Sequence, residues 1–327
     1  MTSRTVLSAC VALACLLPVA ARAGETVVDC PYPVDHDAPL DPQQKLVEKT
    51  VDYTKYRVEF NGIRKDRVPG FLYVPNDGKP THPAVLLQYG TGGNKNTFYI
   101  VALGQQFVGH GFVVLTIDSP NKGERRPKDE KRPWYASLGE RGQAQWYCGD
   151  YSRAVDYLAG RTDVDPQRLG YGGISWGAIT GITFAAHDPR IKAVASIVGG
   201  GNFLGPLADK VQMSKDALEA AKNFDPVYHV ALIAPRPLLL LNATKDQLVP
   251  RFFSDALHAA AGTGAVKKWV ETDHFFQGVD RYAILEDVID FMKQNLSEQP
   301  ARTRSGKVRT SDSGTPSPLP SLGGRGG

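Results

Sequence analysis

The chain has 327 residues, of which 42% are hydrophobic and 22% charged, enough for a full core and ordinary for a globular protein. Its formal charge of +4 is terminal: residues 1–23 contribute +2 and residues 297–327 contribute +3, leaving −1 for the body. A near-neutral body argues against a nucleic-acid groove, so no nucleic-acid partner is expected.

The first stretch reads as a targeting segment. Arg4 precedes the apolar run Val6–Ala20, which is too short to span a bilayer, and Ala21-Arg22-Ala23 is an A-x-A site. A signal peptide over 1–23 is expected, with export to the periplasm or the exterior and no stable membrane anchor. Leu7-Ser8-Ala9-Cys10 resembles a lipoprotein box, but almost no apolar core precedes it. Cleavage would remove Cys10 and Cys15 and leave Cys30 and Cys148, one possible disulfide in an oxidising compartment.

Residues 24–44 read as an irregular, Pro-rich lead-in, and residues 45–296 as the folded domain. Tyr53–Phe60 and Arg67–Val74 alternate and are rich in β-branched and aromatic residues, predicting an antiparallel hairpin turned at Asn61-Gly62. Short apolar runs at Ala84–Gln88, Phe112–Ile117, Arg168–Tyr171, Ile191–Val198, Pro237–Asn242 and Ala265–Glu271 read as strands. Helical patterns lie between and after them at Thr97–Val108, Gly139–Leu158, Ala178–Ala186, Arg251–Ala261 and Tyr282–Leu296. Strands alternating with helices predict an α/β fold, a mainly parallel sheet with helices on both faces and an antiparallel N-terminal edge hairpin. Two longer connections, about 119–150 and 199–229, are candidate caps. The first holds Trp134, Tyr135, Trp146 and Tyr147, and its charges Lys122–Arg132 read as a solvated loop. Residues 297–327 are too poor in apolar groups to offset their ordering entropy and read as a disordered tail.

One turn organises the chemistry. Gly173-Ile174-Ser175-Trp176-Gly177 lies between a strand and a helix, the context of a nucleophile elbow. The glycines two before and two after the serine leave room for so tight a turn. A serine hydroxyl is a weak nucleophile, so a base must take its proton and a carboxylate must hold the base's tautomer. In the α/β-hydrolases, whose elbow this turn resembles, the acid follows a late strand and the histidine follows the last one. Asp246, after the leucine run, fits the acid, with Asp225 and Asp273 as rivals. His274 fits the base, being the one histidine placed after both the acid and the last strand; His187 reads as a surface turn residue. An acyl-transfer site also needs donors for the oxyanion. Candidates are the amide of Trp176 and, from Tyr89-Gly90-Thr91-Gly92-Gly93, that of Thr91, with Gly92 as the neighbouring register.

With these residues in hand, the sequence resembles the α/β-hydrolase superfamily, in its dienelactone hydrolase-like and acetyl xylan esterase-like branch. The resemblance spans roughly 45–296 and is carried by Val68–Pro75, Asp118–Glu124, Asp165–Gly170, the elbow, and Ala234–Leu240 running to Asp246. It implies a serine esterase of small-molecule esters; the sequence has no metal cluster, phosphate loop or dinucleotide fingerprint, so no cofactor and no metal are expected. Dienelactone hydrolases proper use a cysteine where this chain has Ser175, and many relatives have His-Gly where it has Tyr89-Gly90. A prolyl-oligopeptidase-type peptidase shares the fold, but fewer than 60 mature residues precede the first core strand, too few for its usual propeller. A non-catalytic binding module is the other alternative.

Overall fold

In the computed structural model, residues 30–129, 143–203, 222–223 and 225–297 are described. The signal-like segment, the tail beyond Ser297, residues 130–142 of the first cap candidate with Trp134 and Tyr135, and most of the second cap candidate lie outside them.

A nine-stranded sheet forms the centre, in the order β1-β2-β3-β5-β4-β6-β7-β8-β9. Its first strands, β1 (Gln43–Lys49), β2 (Tyr53–Asn61) and β3 (Arg67–Pro75), run antiparallel, and β3 also pairs antiparallel with β5 (Val113–Ile117). From there β5, β4 (His82–Gln88), β6 (Val164–Ile174), β7 (Ile191–Ile197), β8 (Leu238–Ala243) and β9 (Val266–Val270) are parallel. The expected α/β architecture is present, with one addition. β1 straddles the expected boundary between the lead-in and the folded domain, where no strand was expected. All of its residues are exposed and its register breaks between Leu46 and Glu48, so it carries no alternation to betray it. Charged, bulged and short, it is a typical guarded edge.

Period-2 alternation divides the core between the two faces. Val85, Leu87, Val114, Leu239 and Leu241 pack against α1 (Phe98–Gly109) and α5 (Arg281–Leu296), through Leu103, Phe107, Val288 and Met292. Leu86, Leu115, Tyr171 and Leu240 face the other way, onto α2 (Gln143–Ala159), α3 (Trp176–His187) and α4 (Arg251–Ala260). Parallel strands buried on both sides read as continuous apolar runs for this reason. Among the described residues no helix is long and apolar enough to cross a membrane.

The charges after β5 match the expected solvated loop only in part: Arg126, Lys128 and Asp129 are exposed, whereas Lys122 is buried and Asp118, Glu124 and Arg125 are held in ion pairs. Asp118, fully buried, accepts the Lys95 amide at 2.9 Å, the Lys95 ammonium at 2.6 Å and the Glu124 amide at 2.8 Å. Glu124 joins Lys95 (2.7 Å) to Arg57 (2.6 Å), and these two cations hold its carboxyl down at about 2. Arg125 lies between Asp66 and Asp150, at 2.5 and 2.8 Å. Lys122 is buried, which lowers its ammonium to about 8. The partners come from β2, the β2–β3 turn, the loop after β4 and α2, so no local sequence pattern announces them. Lys95→Met leaves two carboxylates short of a cation. Its unfolding free energy in urea should fall by about 3 kcal/mol, the low end for a broken buried pair because two amides still hold Asp118.

The aromatics at the start of α2 pack inward. Trp146 lies against the guanidinium groups of Arg64 and Arg125, with charge-to-ring distances of 4.0 and 5.2 Å. Tyr147 is buried and bonds the Pro120 carbonyl at 3.0 Å. Cys30 and Cys148 are free thiols, against the expected bridge. The Cys148 thiol is buried against the Thr180 carbonyl at 3.8 Å, while Cys30 lines an open cavity of about 400 Å³ beside Tyr32 and His187.

His187 is no surface turn residue. Its Nε2 lies 2.9 Å from Nδ1 of His229, whose own Nε2 lies 3.1 Å from the Lys222 carbonyl. His258, on α4, meets the Asn242 side-chain oxygen at 2.9 Å. Burial pushes both His229 and His258 down to about 4. Each is neutral in the fold yet takes a proton near pH 6.5 when unfolded, so the unfolded chain binds more protons between pH 6.5 and 4. Stability should therefore be complete above pH 6.5 and decline as pH falls through this window. Urea unfolding at pH 7 and pH 5 checks the sign; equal midpoints would show that neither histidine is linked to folding.

Candidate active site

β6 ends in the turn that holds Ser175, and α3 begins at the next residue. The serine has φ 55° and ψ −113°, a left-handed backbone that a β-carbon makes costly. Three contacts hold it there. The Ser175 amide donates to the Ile197 carbonyl at 2.8 Å, the Ile179 amide donates to the Ser175 carbonyl at 3.0 Å, and the Tyr171 hydroxyl donates to the Gly177 carbonyl at 2.8 Å. The two elbow glycines are required by close approach. A β-carbon on Gly173 would overlap the Gly177 carbonyl, and one on Gly177 would lie 2.6 Å from the Gln88 carbonyl.

Asp246 and His274 reach the serine from loops after β8 and β9, at the same sheet edge. His274 Nε2 is 3.0 Å from Ser175 Oγ, and its Nδ1 is 2.6 Å from Asp246 Oδ2. The other Asp246 oxygen accepts the amides of Leu248 (2.9 Å) and Val249 (2.8 Å), which fixes the carboxylate's rotation. An ionised Asp246 places the imidazole proton on Nδ1 and leaves Nε2 to accept from the serine hydroxyl. Asp246 and His274 side chains are 1% and 8% exposed, so this chain of bonds is shielded from competing water.

The rival acids are occupied elsewhere. Asp225 accepts the amides of Asn202 and Phe203, both at 2.7 Å, and Asp273 accepts those of Phe275 and Gln277, both at 3.0 Å. Asp273 thereby shapes the loop that presents its neighbour His274.

The Gly-rich loop after β4 passes directly against the serine, since a β-carbon on Gly90 would lie 3.1 Å from Ser175 Cβ. Within it the Gly90 amide donates to the Tyr99 hydroxyl at 2.9 Å, and the Gly93 amide donates to the Gly90 carbonyl at 3.1 Å. Those bonds withdraw both donors and leave the registers of Thr91 and Gly92 among the described residues. Trp176 opens α3, so its amide is one of the helix's first, which have no acceptor within the helix itself. Tyr89, standing where many relatives carry histidine, is turned away from the chemistry: its buried hydroxyl accepts the Ser119 amide at 2.7 Å. Sequence reasoning passed over Tyr99, on the first turn of α1. Nothing in the local pattern distinguishes it, because its contact depends on how α1 packs over the loop.

A sheet of this order with Ser175, Asp246 and His274 at its C-terminal edge defines the α/β-hydrolase class. Residues 34–218 match the model of the acetyl xylan esterase (AXE1) family, and the chain belongs to that family. Its class is thus that of the carboxylic-ester hydrolases. A hydrolase of Bacillus subtilis, YtaP, is 28% identical over 211 residues, covering 59% of this chain and 69% of that protein. Esterase YjfP of Escherichia coli is 25% identical over 219 residues, covering 61% of this chain and 83% of its own. Among solved structures, an acetyl xylan esterase from a Paenibacillus species superposes with a TM-score of 0.66 at 17% identity, over 80% of this chain and 90% of that one. Acetyl xylan esterase 1 from a Thermoanaerobacterium species gives 0.63 at 16%, over 83% and 97%. At such identities these two structures bear on the fold alone.

Proposed function

We propose that this protein is an exported serine esterase that cleaves small carboxylic esters through an acyl-enzyme on Ser175. The observation that carries the reading is the unbroken line from Asp246 through His274 to Ser175, with heavy-atom distances of 2.6 and 3.0 Å. His274 takes the serine proton as Oγ attacks the ester carbonyl. Asp246 steadies the imidazolium that results, and the amides of Trp176 and Thr91 receive the oxyanion. The alcohol leaves with the proton from His274, and water then attacks the acyl-enzyme by the same route. The family's name points to short acyl groups, acetyl first.

A chain-length series of p-nitrophenyl esters, run with fluorophosphonate labelling and peptide mapping, tests the reading. Cleavage that is fastest for acetate or butyrate, with the label on Ser175, supports it. Labelling elsewhere refutes the nucleophile. Hydrolysis of X-Pro anilides without action on esters would replace the esterase with a peptidase. Export rests on the pattern of residues 1–23. N-terminal sequencing of protein recovered from outside the cytoplasm should begin at Gly24; a chain still starting at Met1 would refute it.

A further inference from the structure

We propose that the Tyr99 hydroxyl is a third donor to the oxyanion, acting beside the amides of Trp176 and Thr91. The inference rests on the serine-esterase reading and adds a catalytic residue to it.

Gly90 carries the geometry. A β-carbon built there would lie 3.1 Å from Ser175 Cβ, 3.3 Å from Tyr99 Oη and 3.4 Å from the Ile174 carbonyl. One point thus lies against both the side chain of the nucleophile and the phenolic oxygen. Tyr99 Oη is therefore close to the serine side chain, within reach of an oxygen that gains charge as Ser175 attacks its carbonyl.

Hydrogen-bond direction then decides what Tyr99 can offer. The Gly90 amide donates to Oη at 2.9 Å, so the phenol acts there as acceptor. Its own proton remains to be given, and among the described residues it has no acceptor. A phenol that already accepts an N–H bond is polarised to donate more strongly. Burial pushes the Tyr99 phenol above its ordinary value, opposed by the Gly90 bond, so the proton is held at neutral pH. The ring is fixed edge-on against Phe98, with centroids 5.3 Å apart, and Tyr99 packs on the core that α1 shares with the sheet. The donor is therefore in place before substrate arrives. Pre-orientation lets such a bond strengthen as the carbonyl becomes an oxyanion, with no reorganisation at the moment of reaction.

The same bond gives Tyr99 a second, structural use, as the acceptor that holds the oxyanion loop. Two variants separate the uses. Tyr99→Phe removes donor and acceptor together. With p-nitrophenyl acetate, kcat should fall by about two orders of magnitude while KM holds, as for loss of one oxyanion donor. Affinity for a trifluoromethyl ketone, which forms a tetrahedral adduct on Ser175, should fall in parallel with kcat. Incorporating 3,5-difluorotyrosine at position 99 keeps an oxygen that accepts the Gly90 amide even when ionised, but lowers the pH at which the proton is lost. If Tyr99 donates to the oxyanion, the alkaline limb of kcat moves to lower pH in this variant. An unmoved limb, or a Tyr99→Phe enzyme within about threefold of the parent kcat, overturns the proposal. Wild-type protein inert to every ester and unlabelled by fluorophosphonate would instead overturn the esterase reading beneath it.

Discussion

Ser175→Ala and His274→Ala should each lower kcat for p-nitrophenyl acetate by on the order of 10⁵–10⁶, and the double variant should be hardly slower than either. In the proposed mechanism the serine oxygen is the bond-forming atom, and the imidazole is what makes that atom nucleophilic at neutral pH. With Nε2 3.0 Å from Oγ, the two act as one device, and once either is gone the other contributes nothing. A factor of 10⁶ corresponds to about 8 kcal/mol of barrier. KM should change little, since neither group gains binding energy from the ground-state ester. A small residual rate over water should persist in all three variants, because the proposed oxyanion donors, the amides of Trp176 and Thr91, are untouched. Steady-state kinetics on purified single and double variants provide the check. If the losses multiplied, the two residues would be acting in separate steps and the line through His274 would be incidental.

Ser175 shows what makes a site readable from sequence. The elbow is local: a left-handed serine and two close approaches, at Gly173 and Gly177, leave their mark within five residues. The order of acid and base was also legible, because the parallel strands β7, β8 and β9 follow one another in both sequence and sheet. Each successive loop is therefore delivered to the same edge one strand further along. What could not be read depends on distant partners. Lys95, Asp118, Glu124 and Arg57 belong to separate stretches of the chain and form one network, buried at Lys95 and Asp118, which reads in sequence as unrelated charges. The pairing of His187 with His229 spans 42 residues, and the Tyr99–Gly90 bond appears only when α1 is seated over the loop. Edge strand β1 failed for a different reason, since a strand exposed on all sides has no hydrophobic period.

Asp246→Asn should lower kcat by about 10⁴ with the fold intact, the loss seen when a buried triad carboxylate becomes an amide. The cause is the tautomer. In the parent, Asp246 Oδ1 is committed to two backbone amides, at 2.9 and 2.8 Å, and Oδ2 faces His274 Nδ1 at 2.6 Å. An asparagine must keep its carbonyl oxygen on those two N–H donors, because turning the amide round would set its NH₂ against them. The NH₂ group then faces Nδ1 and donates to it. Nδ1 must become the acceptor, the ring proton moves to Nε2, and Nε2 can no longer take the proton of Ser175 3.0 Å away. The variant also withdraws the charge that stabilises the imidazolium, at a site where the acid is 1% exposed and water can replace little of it. Melting temperature should change little, since both backbone amides keep their acceptor. The decisive measurement is the Nε2 signal in ¹⁵N NMR of the histidine-labelled proteins at neutral pH. It should be of the unprotonated type in the parent and the protonated type in Asp246→Asn. A variant that kept the parent's tautomer while losing activity would assign Asp246 a purely electrostatic role, and one that kept its activity would remove Asp246 from the mechanism.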